Sequence, residues 1–349
     1  MKERPLPDRQ RLILKEIVDR YIRLREPVSS RMILEDYGLS VSSATVRNDM
    51  NDLEASGYIE KPYSSSGRIP TKKGYRFFVD WLLDLSELTR EERLEIVEAY
   101  ETRCLDVSET IHQTAFLLEN ITGYAAFVIP PRLEETRLER VVLLKMAECL
   151  AFLVIISEIG VVEHGLVPLE EELSEEEIRG IMETINRSLR GANLEDVRML
   201  ATGEGPEGWY ERPVRQAFLV LGHLLERRKE RRVYIEGLLN LAADLQEMIP
   251  DKAMERFTRL GRALRDGATF AEAVDAARKG KDGIVVNVGD LPLPGFEEFS
   301  VVSCGYRPHS GFLGVIAPLW MDYGRAMSAT SYIANRLETI LLRSCVRSE

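Results

Sequence analysis

The side chains with the clearest potential for chemistry lie on one short stretch of chain and suit the recognition of base edges: Ala44, Thr45, Arg47, Asn48 and Asn51. An arginine can fork onto guanine O6 and N7, an asparagine can pair bidentately with adenine, and small methyl-bearing residues can contact thymine. At about 100° per residue these positions share one helix face, opposite a stripe formed by Val46, Met50 and Leu53. A polar face of this kind is more often simply solvated, so the flanking elements must decide between the two interpretations.

The residues before this stretch predict a short helix and a tight turn. Ser29 and Ser30 are candidate caps for a helix that Gly38 can end, and Ser42 or Ser43 then begins the next helix. Gly57 occupies the position expected for the C-terminal cap of that second helix. We therefore expect two short helices joined by a turn, with Ser43 at the start of the second and close to DNA.

A basic hairpin is predicted after the second helix. It comprises a strand over 58–63, a Ser-Gly loop over 64–67 and a return strand over 68–70. Five basic residues against one acidic residue occupy positions 56–79. Arg68, Lys72 and Lys73 are the predicted phosphate contacts. Two helices, a turn and a basic wing predict a winged helix-turn-helix that binds double-stranded DNA.

The distribution of charge favours the same interpretation. Residues 1–85 carry a net charge of +2, whereas the rest of the chain carries −13, which gives the overall −11. Phosphates repel an acidic surface, so we expect DNA contact to be confined to the N-terminal part.

Three segments resemble the heat-inducible transcription repressor HrcA family of bacteria: 9–22, 26–80 and 311–327. The last reads GFLGVIAPLWMDYGRAM and departs from the family pattern at Ala317, Leu319 and Trp320. The resemblance implies a GAF-like central domain that is interrupted by an inserted dimerisation domain. It also implies an inverted-repeat operator upstream of chaperone operons, repression at normal temperature, and help from the GroE chaperonin in keeping the repressor active.

The remaining pattern predicts a multidomain α+β protein. A helix is expected over 9–24, another from a Thr71 cap to about Leu85, and a single helix over 91–120. Strands are expected at 124–129, 137–146, 149–157, 161–167, 232–235, 283–288, 299–306 and 311–318, with helices at 174–190, 211–229 and 323–342. The predicted domains are 1–88 for DNA binding, 89–170 and 231–349 for the GAF-like domain, and 171–230 for a mainly helical insertion.

Enzymatic, metal-binding and membrane functions have no support in the sequence. The four histidines, His112, His164, His223 and His309, form no metal-ligand or catalytic motif. We expect no cofactor and no enzyme activity. The longest apolar run, 149–156, is too short to span a membrane. The four scattered cysteines and the absence of an apolar leader predict a cytoplasmic protein.

The sequence thus predicts a DNA-binding repressor that acts as a homodimer. A metabolite-responsive regulator, whose GAF-like domain binds a small ligand, is the alternative of a different class. A cluster of convergent polar groups in that domain would favour the alternative, and none stands out in the sequence.

Overall fold

The computed structural model describes residues 6–37, 42–63, 66–103, 107–131, 136–158, 162–169, 172–199, 233–248, 250–278, 283–306 and 311–346. The helices within these ranges are α1 Asp8–Leu24, α2 Ser30–Tyr37, α3 Ser43–Ala55, α4 Lys72–Trp81, α5 Arg90–Arg103, α6 Val107–Thr122, α7 Glu175–Leu189, α8 Leu194–Met199, α9 Leu238–Met248, α10 Pro250–Arg265, α11 Gly267–Arg278 and α12 Tyr323–Val346. The strands are β1 Ile59–Glu60, β2 Ile69–Pro70, β3 Ala125–Ile129, β4 Leu138–Ala147, β5 Leu150–Ser157, β6 Val162–Pro168, β7 Tyr234–Glu236, β8 Ile284–Val288, β9 Phe299–Tyr306 and β10 Gly311–Pro318.

Local capping sets the limits of the N-terminal helices. The Ser42 and Thr71 hydroxyls accept hydrogen bonds from Thr45 N and Gly74 N, each at 3.2 Å, and so begin α3 and α4. Gly57 ends α3 with φ +75°, a backbone conformation that residues with a side chain rarely adopt. The predicted caps at Thr71 and Gly57 are therefore confirmed, whereas Gly38 lies outside the described residues.

A five-stranded antiparallel sheet forms the centre of the body, in the order β7-β3-β10-β9-β8. Side chains alternate across it, because successive residues of a strand point to opposite faces. Ala126, Val302 and Val315 join the cluster that includes α6 and α12. Phe127 and Val301 join the cluster with α9, α10 and α11 on the other face. The sheet is thus covered by helices on both sides.

The strands β4, β5 and β6 form a separate antiparallel sheet. One face packs against α7 and α8 in a hydrophobic cluster of its own, which contains Val141, Leu153, Ile178 and Ile185. The border predicted at residue 171 divides this cluster, because strands within 138–168 share a core with α7 rather than with the five-stranded sheet. The helix predicted at 211–229 lies outside the described residues.

Two further expectations differ from the structure. The single helix predicted over 91–120 is two helices, α5 and α6, which pack against each other through Ile96, Tyr100 and Thr114, with the last two joined by a 2.8 Å hydrogen bond. The helices α9, α10 and α11 were not expected at all. Among the described helices, none combines the length and apolarity needed to cross a membrane.

The N-terminal helices share one continuous hydrophobic cluster with the body. Tyr75 of α4 lies with its ring centroid 6.2 Å from that of the fully buried Tyr323 of α12. Arg25, which has a left-handed φ of 59°, donates a hydrogen bond to the carbonyl of Trp320. The segment 311–327 therefore supplies both a central strand and part of the surface on which the N-terminal unit docks.

Candidate nucleic-acid interface

Helix α3 presents the predicted recognition face to solvent. Val46, Met50 and Leu53 are buried. The residues on the opposite side that are exposed, as the sequence predicts, are Ser43, Ala44, Arg47, Asn48 and Asn51. Thr45 is half-buried, and its hydroxyl lies 3.0 Å from that of the cap residue Ser42. Thr45 therefore belongs to the start of the helix more than to its open face.

An ion pair that sequence reasoning missed fixes α3 on α1. The Arg9 guanidinium donates from Nε and Nη2 to the two carboxylate oxygens of Asp49, at 2.5 and 3.1 Å. Asp49 is buried, and its hydrogen bond and charge raise the pKa of Arg9. Its place beside Val46 and Met50 in the apolar stripe was a signal, since a buried carboxylate requires a partner.

The hairpin β1–β2 follows α3 directly, with Ile59 opposite Pro70. Lys73 is exposed; its ammonium lies 4.3 Å from the Tyr58 ring centroid and donates to Ser56 O at 3.2 Å. Lys73 thus sits next to the C-terminal end of α3, on the surface that the hairpin extends. Ser64 and Ser65, at the predicted tip, lie outside the described residues.

The side chain of Arg68 is directed toward α3. The residue is only 9% exposed, and its guanidinium donates to Glu54 Oε2 at 2.8 Å and to Asn51 Oδ1 at 3.1 Å. The guanidinium of Arg68 therefore faces α3 and is already paired with a carboxylate, and its contact with the DNA backbone stays a prediction.

Lys72 is also directed away from the predicted DNA surface. Its ammonium donates to the backbone carbonyl of Gly289, just after β8. One turn later, Arg76 donates to Val286 O at 2.7 Å and lies 3.8 Å from Asp290. The start of α4 thus docks on the body, and Lys72, although exposed, bonds at that junction; its contact with phosphate stays a prediction.

The described histidines have structural neighbours. The His112 ring packs edge-on against Tyr234 at 4.5 Å, and the His164 ring lies 5.4 Å from Phe152. His223 and His309 lie outside the described residues. Within the described ranges, no group of three or more His, Cys, Asp or Glu side chains is placed to hold a metal ion.

Comparison with known proteins identifies the family. A model described as the HrcA protein C-terminal domain matches residues 108–327, more than half of the chain. The chain belongs to the HrcA family of heat-inducible transcription repressors. Its relatives in this HrcA family include proteins of that name from Pelotomaculum thermopropionicum, 31% identical over 97% of each chain, and from Desulforudis audaxviator, 32% identical over 96% of this chain and 98% of the relative.

A solved structure supports the mixed α and β fold of this HrcA family member over nearly its whole length. The crystal structure of a protein described only as hypothetical is similar, with a TM-score of 0.62 and 27% identity over 97% of this chain and 100% of that chain. The shared architecture is mixed α and β. The family resemblance, first based on three segments, therefore extends over nearly the whole chain.

Proposed function

We propose that this protein is a sequence-specific repressor that binds an inverted-repeat DNA operator as a homodimer. The observation that carries the proposal is the exposed face of α3, on which Arg47, Asn48 and Asn51 lie opposite a buried apolar stripe. Arginine and asparagine supply the donor and acceptor patterns that distinguish bases in the major groove. In this arrangement α3 is the recognition helix, β1–β2 is the wing, and α1 to α4 form a winged helix-turn-helix.

The rest of the chain is proposed to be a GAF-like domain with an insertion. The five-stranded sheet and its two helical layers would form the GAF-like domain from residues near 89–135 and 233–349. The unit built from β4, β5, β6, α7 and α8 would begin the insertion near residue 136. Its separate hydrophobic cluster supports this division.

The open face of the β4-β5-β6 sheet is the proposed homodimer interface. Leu144, Phe152 and Leu166 lie side by side across the three strands. Leu144 is 50% and Leu166 58% exposed, although α7 covers the opposite face of the same sheet. An apolar sheet face in an acidic body favours a second copy of itself as its partner, because apolar burial needs no complementary charge.

The regulated genes are proposed to be heat-shock chaperone operons of the groE and dnaK type, with the GroE chaperonin maintaining the active repressor in the cytoplasm. The name of the relatives, heat-inducible transcription repressor, supports the heat link. Within the described residues, no metal-binding cluster offers an alternative switch. Thermal stability of the fold is therefore the proposed sensor.

Footprinting of the full-length protein tests this function. The probe is the region upstream of the chaperonin operon of the source organism, and a scrambled sequence of equal composition is the control. We expect one protected inverted repeat and no protection of the scrambled DNA. Equal protection of both probes at the same salt concentration would contradict sequence-specific repression.

A further inference from the structure

Arg68 is the residue at which the hairpin, α2 and α3 meet. Its backbone N–H donates to Val28 O at 2.8 Å, and its own carbonyl accepts from Val28 N at 2.9 Å. Gly67 permits this approach, since a Cβ there would lie 2.6 Å from the Val28 backbone. The backbone of Arg68 is thus fixed to the segment just before α2, while its side chain crosses to α3.

The chemistry of the guanidinium determines how the Asn51 amide is turned. Arginine has only donors, so the group that Asn51 offers at 3.1 Å must be its carbonyl oxygen. The buried positive charge is balanced by Glu54, whose carboxylate lies 2.8 Å from both Nε and Nη2. Glu54 therefore holds Arg68, and Arg68 in turn orients Asn51.

We propose that Arg68 is a positioning residue for base recognition, which holds the Asn51 amide with its NH₂ group directed toward the DNA. This inference rests on the proposed function of α3 as the recognition helix. Asn51 lies one turn after Arg47 and Asn48 on the same exposed face. With its oxygen turned to Arg68, Asn51 offers donor hydrogens, which suit the two acceptors of guanine better than the paired donor and acceptor of adenine.

The test uses the full-length protein and a set of operators in which each half-site position carries each of the four bases. Arg68→Lys keeps the charge but loses the fork that reaches both Glu54 and Asn51. We expect discrimination at one position per half-site to fall about tenfold, the scale of a single base contact, with the salt slope unchanged. Lys73→Gln is the matched basic control, for which the salt slope should fall by about one and base preference should stay the same.

A double-mutant cycle identifies Asn51 as the group through which Arg68 acts. Asn51→Ala should remove discrimination at the same operator position, and adding Arg68→Lys should then change base preference no further. If Arg68→Lys melts the fold, as circular dichroism would show, Glu54→Gln takes its place, because it loosens the same guanidinium without removing it. The same operator position should be affected.

Two results would overturn the inference. One is a salt slope that falls by about one in Arg68→Lys with base preference intact, which would make Arg68 a direct phosphate contact. The other is an unchanged base preference in both Arg68→Lys and Glu54→Gln. A wild-type protein that fails to prefer the operator over scrambled DNA would instead contradict the proposed function itself, so the two failures are distinguishable.

Discussion

The side chains of α3 and of the hairpin form two groups, one exposed to solvent and one paired within the protein. Arg47 and Asn48 are exposed in the first two turns of α3, where recognition helices approach base edges. Asp49, Glu54 and Arg68 are paired within the protein and fix the geometry. The proposed base recognition therefore depends on a few exposed side chains, which are supported by ion pairs beneath them.

Replacing Arg47 or Asn48 by alanine should weaken operator binding by about 1–3 kcal/mol and relax base preference locally. The physical reason is the loss of a hydrogen bond to a base edge, which forms on the operator but not on random DNA. Fluorescence anisotropy titrations on operator and scrambled duplexes at one salt concentration check this. Arg187→Ala, an exposed arginine on α7, is the matched control and should bind as wild type. Equal losses of affinity for both duplexes would show that Arg47 and Asn48 contact only phosphates.

The open face of α3 could be predicted from sequence because it follows from helical periodicity alone. The partners of Arg68 and Lys72 could not be predicted, since they lie outside the local helical repeat. Glu54 precedes Arg68 by 14 residues, and Gly289 follows Lys72 by 217. A basic residue in a wing looks the same in sequence whether it faces phosphate or a buried carboxylate.

At the scale of elements, strand patterns were more predictable than helix patterns. The predicted bounds of β9 and β10 are confirmed, because their near-continuous apolar runs are typical of strands buried on both faces. Helices α9, α10 and α11 were missed even though Ala253 and Leu260 of α10 recur at helical spacing and are buried. The pairing of β4, β5 and β6 into a separate sheet could not be predicted, since alternation defines strands but not the sheet that they join.

Helix α5 is tied to α12 by an ion pair that should depend on pH. Backbone hydrogen bonding at Thr89, and then the bond from Arg325, lower the pKa of Glu92. A lowered pKa means that the ionised carboxylate stabilises the folded state at neutral pH. This contribution is lost as the pH falls through the pKa that Glu92 has in the folded state. Glu92→Gln should therefore lower the Tm at pH 7, and the difference from wild type should vanish as the pH falls below the range in which a glutamate ordinarily titrates. Thermal melts from neutral to acidic pH measure the Tm difference between variant and wild type, with the exposed Glu91→Gln as the control. A Tm difference that stays constant at every pH would contradict this prediction.

A charge on the open face of the β4-β5-β6 sheet should separate the proposed dimer. Leu144→Glu places a carboxylate on a half-exposed position, so the monomer should fold, whereas a dimer interface would bury that charge. Operator affinity should fall by about 10²–10⁴, because the second half-site contact is no longer intramolecular. Analytical ultracentrifugation and titration measure both effects. Arg179→Glu, on the exposed side of α7, is the control and should remain dimeric. If the Leu144→Glu protein were still dimeric, the interface would have to lie elsewhere.

At the scale of the whole molecule, the N-terminal unit shares a hydrophobic cluster with the side of the body formed by α5, α6 and α12. Arg25, Lys72 and Arg76 each donate to a backbone carbonyl of the body, and Tyr75 packs near Tyr323. Because these contacts join the cores, melting of the body should remove the support under α4. This coupling gives the proposed heat response a structural route.

Operator release on warming should accordingly follow unfolding. Circular dichroism and operator anisotropy, recorded on the same sample, should show coincident transitions, and GroE with ATP should restore both signals after cooling. Added operator should raise the Tm, since a ligand of the folded state stabilises it. Release from a protein that remains folded and dimeric would show that heat acts through another element.

The central claim is that two copies of α3 read an inverted repeat. The most direct measurement compares the affinity of the full-length protein for the intact operator, a single half-site and a scrambled duplex at one salt concentration. We predict tight binding to the intact operator, binding to the half-site weaker by about 10²–10⁴, and still weaker binding to scrambled DNA. Equal affinity for all three duplexes would contradict the account.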